Sequence, residues 1–392
     1  MRGMADVLVV GGGVMGASVA YWLTRMAPGT RVCVVEKDPS YARASTALSV
    51  ASIRSQFSNP VNVAISRFGL EFIREFAKAA PQGGVPDLGL KENGYLFLSG
   101  TAEGATTLAE LAEMQRGFGA ETQVLAPAEI AARFPWMQVD DITAGSYGHC
   151  GEGWFDNMGL LGGLKAQARA QGAEFITDRV VGLERRGDQV LAAQLAGGDR
   201  IETAALVNAA GTRAADLLRM LGEDLPVEPR KRTVFVIDAP NARHPDAPLL
   251  VDHAGYYLRP EHDQWITATV PADDGPCDAD DFAPDHAQFE DLIWPALYAR
   301  VPGFDAVKVT RFWVGHYAYN TLDQNAILGR HPGFQNLYLA NGFSGHGLQQ
   351  APAVGRGLAE VILTGDWQSL DLSPLGVARV LENRPFPELG IV

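Results

Sequence analysis

The stretch D-V-L-V-V-G-G-G-V-M-G at Asp6–Gly16 decides how this 392-residue chain folds. Its run of four apolar residues, three of them β-branched, predicts a buried strand. Three glycines follow with G-x-G-x-x-G spacing, and the residues after them predict a helix. We expect Gly11 to permit a tight turn, Gly13 to let the backbone approach a pyrophosphate, and Gly16 to let the helix pack closely on the strand.

A carboxylate stands where such a fold places its ribose ligand. The second strand, V-C-V-V, ends on Glu36, twenty residues after Gly16. An ordinary solvated strand end would explain Glu36 taken alone, but the glycines, strands, helix and acid together favour dinucleotide binding. The positive end of the helix would then face the phosphates. A carboxylate at this place disfavours the 2′-phosphate of NADP.

Length and charge narrow the class of protein. A chain of 392 residues exceeds the usual size of a single core, so we expect two domains. The formal net charge of −14 argues against a nucleic acid or an anionic membrane surface as partner. Three distant cysteines give no metal-binding spacing and no disulfide framework, which fits a cytoplasmic, reducing location. Only five residues precede the first strand and no apolar run reaches ~18 residues, so we expect neither a targeting peptide nor a transmembrane segment.

The later part of the chain repeats the strand–glycine–helix pattern. A buried strand ends in V-N-A-A-G at 207–211, and another leads into a glycine-rich loop, after which a helix is expected to open at Pro352. Alternating apolar residues over 226–269 predict antiparallel strands. The segment 144–155 is expected to be a loop, and residues 278–300 are expected to be helical.

Four ordered motifs are similar to those of a known family. They are the first glycine motif, S-T-A-L at 45–48, V-N-A-A-G at 207–211 and G-F-S-G-H-G at 342–347. Over nearly its whole length the chain resembles the D-amino-acid oxidase/sarcosine oxidase (DAO) superfamily of FAD-dependent oxidoreductases. E-G-W-F-D at 152–156 and V-E-P-R-K-R at 227–232 are similar to one subgroup. It comprises the FAD-dependent oxidoreductase domain-containing proteins linked to respiratory complex I assembly, of which this chain looks like a bacterial-type relative.

The resemblance implies an α/β fold in two discontinuous domains. One is a Rossmann-like FAD-binding domain of the glutathione-reductase type. The other is an α+β substrate-binding domain with a mostly antiparallel sheet. The expected FAD-binding domain comprises residues 1–85, 145–225 and 320–392, and the expected substrate-binding domain comprises 86–144 and 226–319.

FAD is the cofactor that the resemblance implies, and no metal is expected. We expect it to be bound non-covalently because the cysteines lie outside the flavin-facing motifs, with a histidyl link through His316 as a minor alternative. The expected cofactor-binding residues are Gly11, Gly13, Val14, Met15, Gly16, Glu36, Lys37, Ser45, Thr46, Val181, Ala210, Gly211, Gly345, His346, Gly347, Leu348 and Gln349. For Ser45 and Thr46 a helix-capping or turn hydroxyl is nearly as good an interpretation. For Val181 the alternative is an ordinary core valine.

The expected substrate is a small molecule that carries a carboxylate. By resemblance, Arg54 in S-I-R-S-Q-F binds that carboxylate, which a guanidinium can contact with two parallel hydrogen bonds. The alternative is that Arg54 pairs with an FAD phosphate or a nearby acid. The other residues expected at the catalytic site are Tyr257, His316, Tyr317 and His346. Gln349 departs from the lysine that many relatives carry at this place.

The expected reaction is oxidation of the C–N bond of an amino acid or N-alkyl amino acid by hydride transfer to flavin N5. Two alternatives stay open: a 2-hydroxy-acid dehydrogenase with His316 or His346 as the base, and a non-catalytic FAD-containing assembly factor. The strand Gln264–Thr269 carries no lysine, whereas sarcosine oxidases place one over the flavin to promote reaction with oxygen. This difference favours a dehydrogenase or a slow oxidase. The electron acceptor is oxygen, a quinone or an electron-transfer protein.

Overall fold

Two large β-sheets organise the computed structural model, which describes residues 4–80 and 83–389. The strands are β1 Ala5–Val10, β2 Val32–Glu36, β3 Ser52–Ile53, β4 Tyr95–Ser99, β5 Thr122–Leu125, β6 Ala144–Gly148, β7 Gly153–Trp154, β8 Glu174–Thr177, β9 Val180–Arg186, β10 Gln189–Leu195, β11 Arg200–Asn208, β12 Val227–Asp238, β13 Leu249–Val251, β14 Tyr256–Glu261, β15 Gln264–Thr269, β16 Lys308–Asn320, β17 Ile327–Arg330 and β18 Leu337–Asn341. The α-helices are α1 Val14–Met26, α2 Pro60–Ala79, α3 Ala102–Gly117, α4 Pro127–Arg133, α5 Asn157–Ala170, α6 Ala214–Arg219, α7 Trp294–Arg300, α8 Gly347–Thr364 and α9 Ala378–Leu381.

The first sheet is the Rossmann-like sheet that the glycine motif predicts. Its order is β17-β18-β11-β1-β2-β8, and the pairs from β18 to β8 are parallel. Strand β1 is apolar on both faces because both faces are covered. Val7 and Val9 belong to the core that contains α1 and α8, whereas Leu8 and Val10 belong to the core that contains α6. The expected fold class is confirmed.

The second sheet has the order β16-β12-β15-β14-β13-β4-β6-β5. Its pairs are antiparallel except for β13 with β4, so the mostly antiparallel sheet is also confirmed. The division into two domains stays a prediction. Strand β6 spans its expected boundary at 145 and pairs with β4 and β5 in the second sheet.

Three local expectations were wrong. The expected loop at 144–155 contains β6 and β7. These strands form because they pair with β4 and β3, and a local sequence rich in small residues does not predict such pairing. Within 278–300 helical structure begins only at Ala287 and continues through a π-helical turn, Phe289–Ile293, into α7. Pro284 disfavours helix in the residue before it. Helix α8 begins at Gly347 and includes Pro352.

Within the described ranges no helix is long and apolar enough to cross a membrane. Nor do those ranges contain a group of three or more His, Cys, Asp or Glu side chains that could hold a metal ion.

Candidate active site

A cavity of about 600 Å³ lies between the two sheets. It opens at the carboxyl ends of β1, β2 and β11, where an open parallel sheet binds its ligands. Strands β12, β13, β14 and β16 of the second sheet cover it, and the start of α8 closes one side. Most of the predicted site residues are in its wall, namely Gly11, Gly13, Val14, Met15, Glu36, Lys37, Ser45, Thr46, Arg54, Ala210, Gly211, Tyr257, His316, Tyr317, Gly345, His346, Gly347, Leu348 and Gln349.

Two predicted residues lie outside the wall of this cavity. Gly16 faces the turn before it, and a Cβ there would be 1.9 Å from the carbonyl oxygen of Gly11. Its position agrees with close packing of helix on strand, and its part in cofactor binding stays a prediction. Val181 is 45% exposed on β9 and does not line the cavity, so its contact with the adenine stays a prediction. None of the three cysteines is in the wall either.

The glycine turn brings backbone to one end of the cavity. Gly11 has φ +101°, and a Cβ there would be 2.3 Å from the carbonyl oxygen of Ala209. Only glycine tolerates both the conformation and the close approach of β11. The Glu36 carboxylate lies beside this turn and accepts hydrogen bonds from Gly12 N at 2.8 Å and Asp38 N at 2.9 Å. These two bonds fix its orientation in the cavity wall.

The segment after β2 contributes two hydroxyl groups. Thr46 Oγ1 accepts from the N–H of Val14 at 3.1 Å and so satisfies one N–H group in the first turn of α1, whose N-cap is Gly13. Its hydroxyl proton remains able to donate to a ligand. Ser45 Oγ donates to the carbonyl oxygen of His316 at 2.7 Å and thereby links the two sides of the cavity.

Helix α8 points its N-terminus at the cavity. Because the helix begins at Gly347, the first-turn residues Gly347, Leu348 and Gln349 are all in the wall. Pro352 lies inside this helix, where it lacks the N–H that would bond to the Leu348 carbonyl and where its ring crowds that carbonyl. Free N–H groups and the helix dipole make this end of the cavity favourable for negative charge.

Arg54 is buried, with 5% exposure, and its guanidinium lies 4.4 Å from the ring centre of Phe57. Its Nη1 donates to the Gln56 carbonyl at 2.6 Å, and its backbone N–H donates to Gln349 Oε1 at 2.8 Å. Its Nη2 is 2.9 Å from Nε2 of His346. Since a guanidinium has only donors, His346 Nε2 is the acceptor and its proton is on Nδ1. Burial and the Arg54 charge hold the pKa of His346 well below its usual 6.5, so the ring is neutral.

The side chains opposite come from β14 and β16. His316 Nε2 lies 2.7 Å from the carbonyl oxygen of Asp281 and therefore donates to it, which leaves Nδ1 unprotonated. Burial lowers the pKa of His316. Burial also raises the pKa of Tyr317, and raises that of Tyr257 well above 10, so both hydroxyls stay protonated.

Sequence reasoning missed three residues at this site: Tyr95, Arg232 and Glu152. Tyr95 and Arg232 line the cavity. Glu152 is 1% exposed and hydrogen-bonds to the segment that carries Arg54. A carboxylate within the otherwise apolar run C-G-E-G-W-F was the available signal, because such a residue is buried only with dedicated partners.

The family model of FAD-dependent oxidoreductases named DAO matches residues 6–361. The chain belongs to the DAO family. FAD-dependent oxidoreductase domain-containing protein 1 of Xenopus laevis is 37% identical over 425 residues, covering 99% of this chain and 85% of that protein. Mitochondrial dimethylglycine dehydrogenase of Mus musculus is 26% identical, over 94% of this chain and 44% of its own length. The structure of L-proline dehydrogenase from P. horikoshii matches with a TM-score of 0.88 and 25% identity, covering 98% of this chain and 100% of that one.

This DAO-family chain is FAD-dependent, and the cavity fits that cofactor. A glycine turn at which a side chain would clash with backbone allows close approach of a pyrophosphate. The oriented Glu36 carboxylate suits a ribose, and two helix N-termini, those of α1 and α8, suit negative charge.

Proposed function

We propose that this protein oxidises the C–N bond of an amino acid or N-alkyl amino acid and transfers the electrons to FAD. The observation that carries the proposal is the buried Arg54 guanidinium in the wall of the cofactor cavity. Its planar donors match the two oxygens of a carboxylate. The relatives support the same class, since dimethylglycine dehydrogenase and L-proline dehydrogenase are named for substrates of this kind.

The cofactor contacts follow from the positions of the wall residues. Glu36 would bind the ribose of the AMP half, and the hydroxyl of Thr46 with the N-terminus of α1 would bind the pyrophosphate. Ala210 and Gly211 would line the middle of the cofactor. The N-terminus of α8 would face the pyrimidine end of the flavin.

FAD supplies the hydride acceptor when it is bound. Arg54 holds the substrate carboxylate and so fixes where the α-carbon lies. Tyr257 and Tyr317 stay protonated and can donate hydrogen bonds to the bound substrate. The first-turn N–H groups of α8 stabilise the negative charge that electron transfer brings to this end of the cavity.

The histidines favour an amine over an alcohol as the group oxidised. An amine that arrives neutral needs no protein base, whereas a hydroxyl must lose its proton to one. The Nε2 atom of His346 already accepts from Arg54, and the pKa of His346 is far below neutral, so it is a poor base. Only His316 Nδ1 keeps the 2-hydroxy-acid alternative open. The electron acceptor, the cytoplasmic location and the assembly role stay predictions.

Anaerobic mixing of the holoenzyme with a panel of amino acids, N-methyl amino acids and 2-hydroxy acids tests the proposal. We expect at least one amine substrate to bleach the flavin absorbance and release ammonia or an alkylamine. Bleaching only by 2-hydroxy acids would replace the proposed substrate class. No bleaching by any member of the panel, with FAD bound, would support the assembly factor instead.

A further inference from the structure

The side chain of Glu152 is enclosed beside Arg54, although it does not line the cavity. Its Oε1 accepts from the backbone N–H of Ser55 at 2.8 Å, and its Oε2 accepts from Nε2 of Gln56 at 2.8 Å. Nη1 of Arg54 in turn donates to the Gln56 carbonyl at 2.6 Å. The carboxylate is therefore attached to both residues that follow Arg54.

The same network extends into the second sheet. Gln56 Nε2 also donates to the Tyr95 carbonyl at 2.9 Å, and Gln56 Oε1 accepts from Ser146 Oγ at 2.6 Å. Because the amide of Gln56 is held on both sides, its orientation is determined, and its NH₂ group faces Glu152. The arrangement requires acceptor oxygens at position 152. A carboxylate supplies them, and so does a carboxylic acid, whose hydroxyl oxygen can still accept a hydrogen bond.

The positive charge of Arg54 also acts on the Glu152 carboxylate. Burial raises its pKa from 4.5 to about 7, against the opposing effect of its hydrogen bonds and of the Arg54 and Arg67 charges. Arg54 comes from the segment before α2, and Arg67 comes from α2. From β4 and β6 the titratable groups near it are Tyr95 and Tyr147, whose pKa values are raised mainly by burial. Both tyrosines are neutral at neutral pH, whereas the Arg54 and Arg67 charges lower the pKa of Glu152. The Glu92 carboxylate accepts from the N–H of Gly151, the residue before Glu152, and is itself paired with Arg74.

We propose that Glu152 is a positioning residue for Arg54 and that it takes up a proton when a carboxylate binds in the cavity. This proposal rests on Arg54 being the carboxylate-binding group proposed above. A bound carboxylate would neutralise the positive charge of Arg54 and place a second negative charge near Glu152. Both effects favour the protonated form of Glu152. By linkage, protonation of Glu152 must strengthen carboxylate binding by the same factor.

This coupling is tested by titrating the holoenzyme with acetate and with benzoate at several pH values from 6 to 9. Changes in the flavin absorbance report the binding. For the wild-type protein we expect Kd to vary little with pH near pH 6. Above pH 7 the Kd should increase with pH, by a factor that approaches ten per pH unit. A pH-indicator dye in weak buffer should report uptake of a fraction of a proton per bound carboxylate at pH 8. This second measurement needs no variant.

The Glu152→Gln variant should bind both carboxylates with a Kd that no longer varies over this pH range. Its amide would face the NH₂ group of Gln56, so a weaker Kd at pH 6 is expected in addition. A purely structural role would weaken binding equally at every pH. Glu360→Gln is the matched control, because Glu360 is also buried but lies near the far end of α8, and it should keep the wild-type slope.

A wild-type Kd that does not vary with pH, or a slope that persists in Glu152→Gln, would overturn the proposal while leaving Arg54 as carboxylate ligand. Failure of both carboxylates to bind at any pH would overturn it together with the assignment of Arg54. If the pH dependence is found but no amino acid bleaches the flavin, the coupling stands and the proposed reaction falls.

Discussion

Glu36 is a single residue that both stabilises the glycine turn and lines the cofactor cavity. Its carboxylate orders the Gly12 and Asp38 N–H groups and lines the cavity. Glu36→Ala should weaken FAD binding by about 1–3 kcal/mol, because a charged group with dedicated hydrogen bonds is lost. Titration of the apoprotein with FAD, followed by flavin fluorescence, measures this loss.

Stability of the apoprotein separates two roles of Glu36. Equal FAD affinity in Glu36→Ala and wild type would show that the carboxylate orders only the turn. In that case unfolding of the apoprotein by denaturant should reveal the whole effect of the substitution.

Helices α1 and α8 pack directly against each other. The two helices direct their N-termini at the same cavity, and Ser18 Oγ donates to the Ala351 carbonyl at 2.6 Å. A Cβ on Gly355 would lie 2.2 Å from Ser18 Oγ and 2.7 Å from its backbone carbon. Gly355→Ala should therefore cost about 1–3 kcal/mol of unfolding free energy, as overpacking does. Denaturant unfolding of the apoprotein measures it.

Gly162 supplies the matched control in a helix. It is exposed on α5, and nothing lies within 4 Å of a Cβ built there. Gly162→Ala should stabilise the protein by roughly 0.5–1 kcal/mol through helix propensity alone. If Gly355→Ala does not lower the unfolding free energy relative to Gly162→Ala, the close packing of α8 on Ser18 is not what excludes a side chain at Gly355.

Local patterns predicted the elements that bind the cofactor, whereas tertiary contacts decided the rest. The G-x-G-x-x-G spacing and Glu36 acted within one β-α-β unit, so the sequence alone located them. The predicted start of α8 was five residues too late, because Pro352 is a strong local signal for a helix start. The observed start at Gly347 has no side-chain cap at His346 and so gives no such signal. Glu152 was missed because its partners, Ser55 and Gln56, lie about a hundred residues away in the chain.

The pH dependence of stability belongs to the whole molecule. With its pKa near 7 in the folded state and 4.5 as its ordinary value, Glu152 binds more protons folded than unfolded between these limits. Its contribution to the free energy of unfolding therefore falls as pH rises from 4.5 to 7, by up to about 3 kcal/mol.

Glu152→Gln should remove this slope, whatever its effect on stability at one pH. Denaturant unfolding at pH 5, 6, 7 and 8 measures the difference between the two proteins. An unchanged slope in the variant would mean that Glu152 is ionised in the folded protein throughout this range.

Cofactor attachment is also a property of the assembled cavity. Cys33, Cys150 and Cys277 lie outside its wall, so a thioether to the flavin has no donor there. We expect a yellow protein that releases FAD into the supernatant on acid precipitation. A yellow pellet would point to a histidyl link at His316, which does line the cavity.

The role of Arg54 as carboxylate ligand is tested by anaerobic titration of wild type and Arg54→Met with an amino acid that bleaches the wild-type flavin. For Arg54→Met we expect unchanged FAD content and substrate binding weakened by about 2–4 kcal/mol, since a buried carboxylate loses its partner. Arg54→Lys should be intermediate, because it keeps the charge but loses the planar donors. An Arg54→Met protein that loses FAD, yet is reduced normally once reloaded, would show that Arg54 binds the cofactor and not the substrate carboxylate.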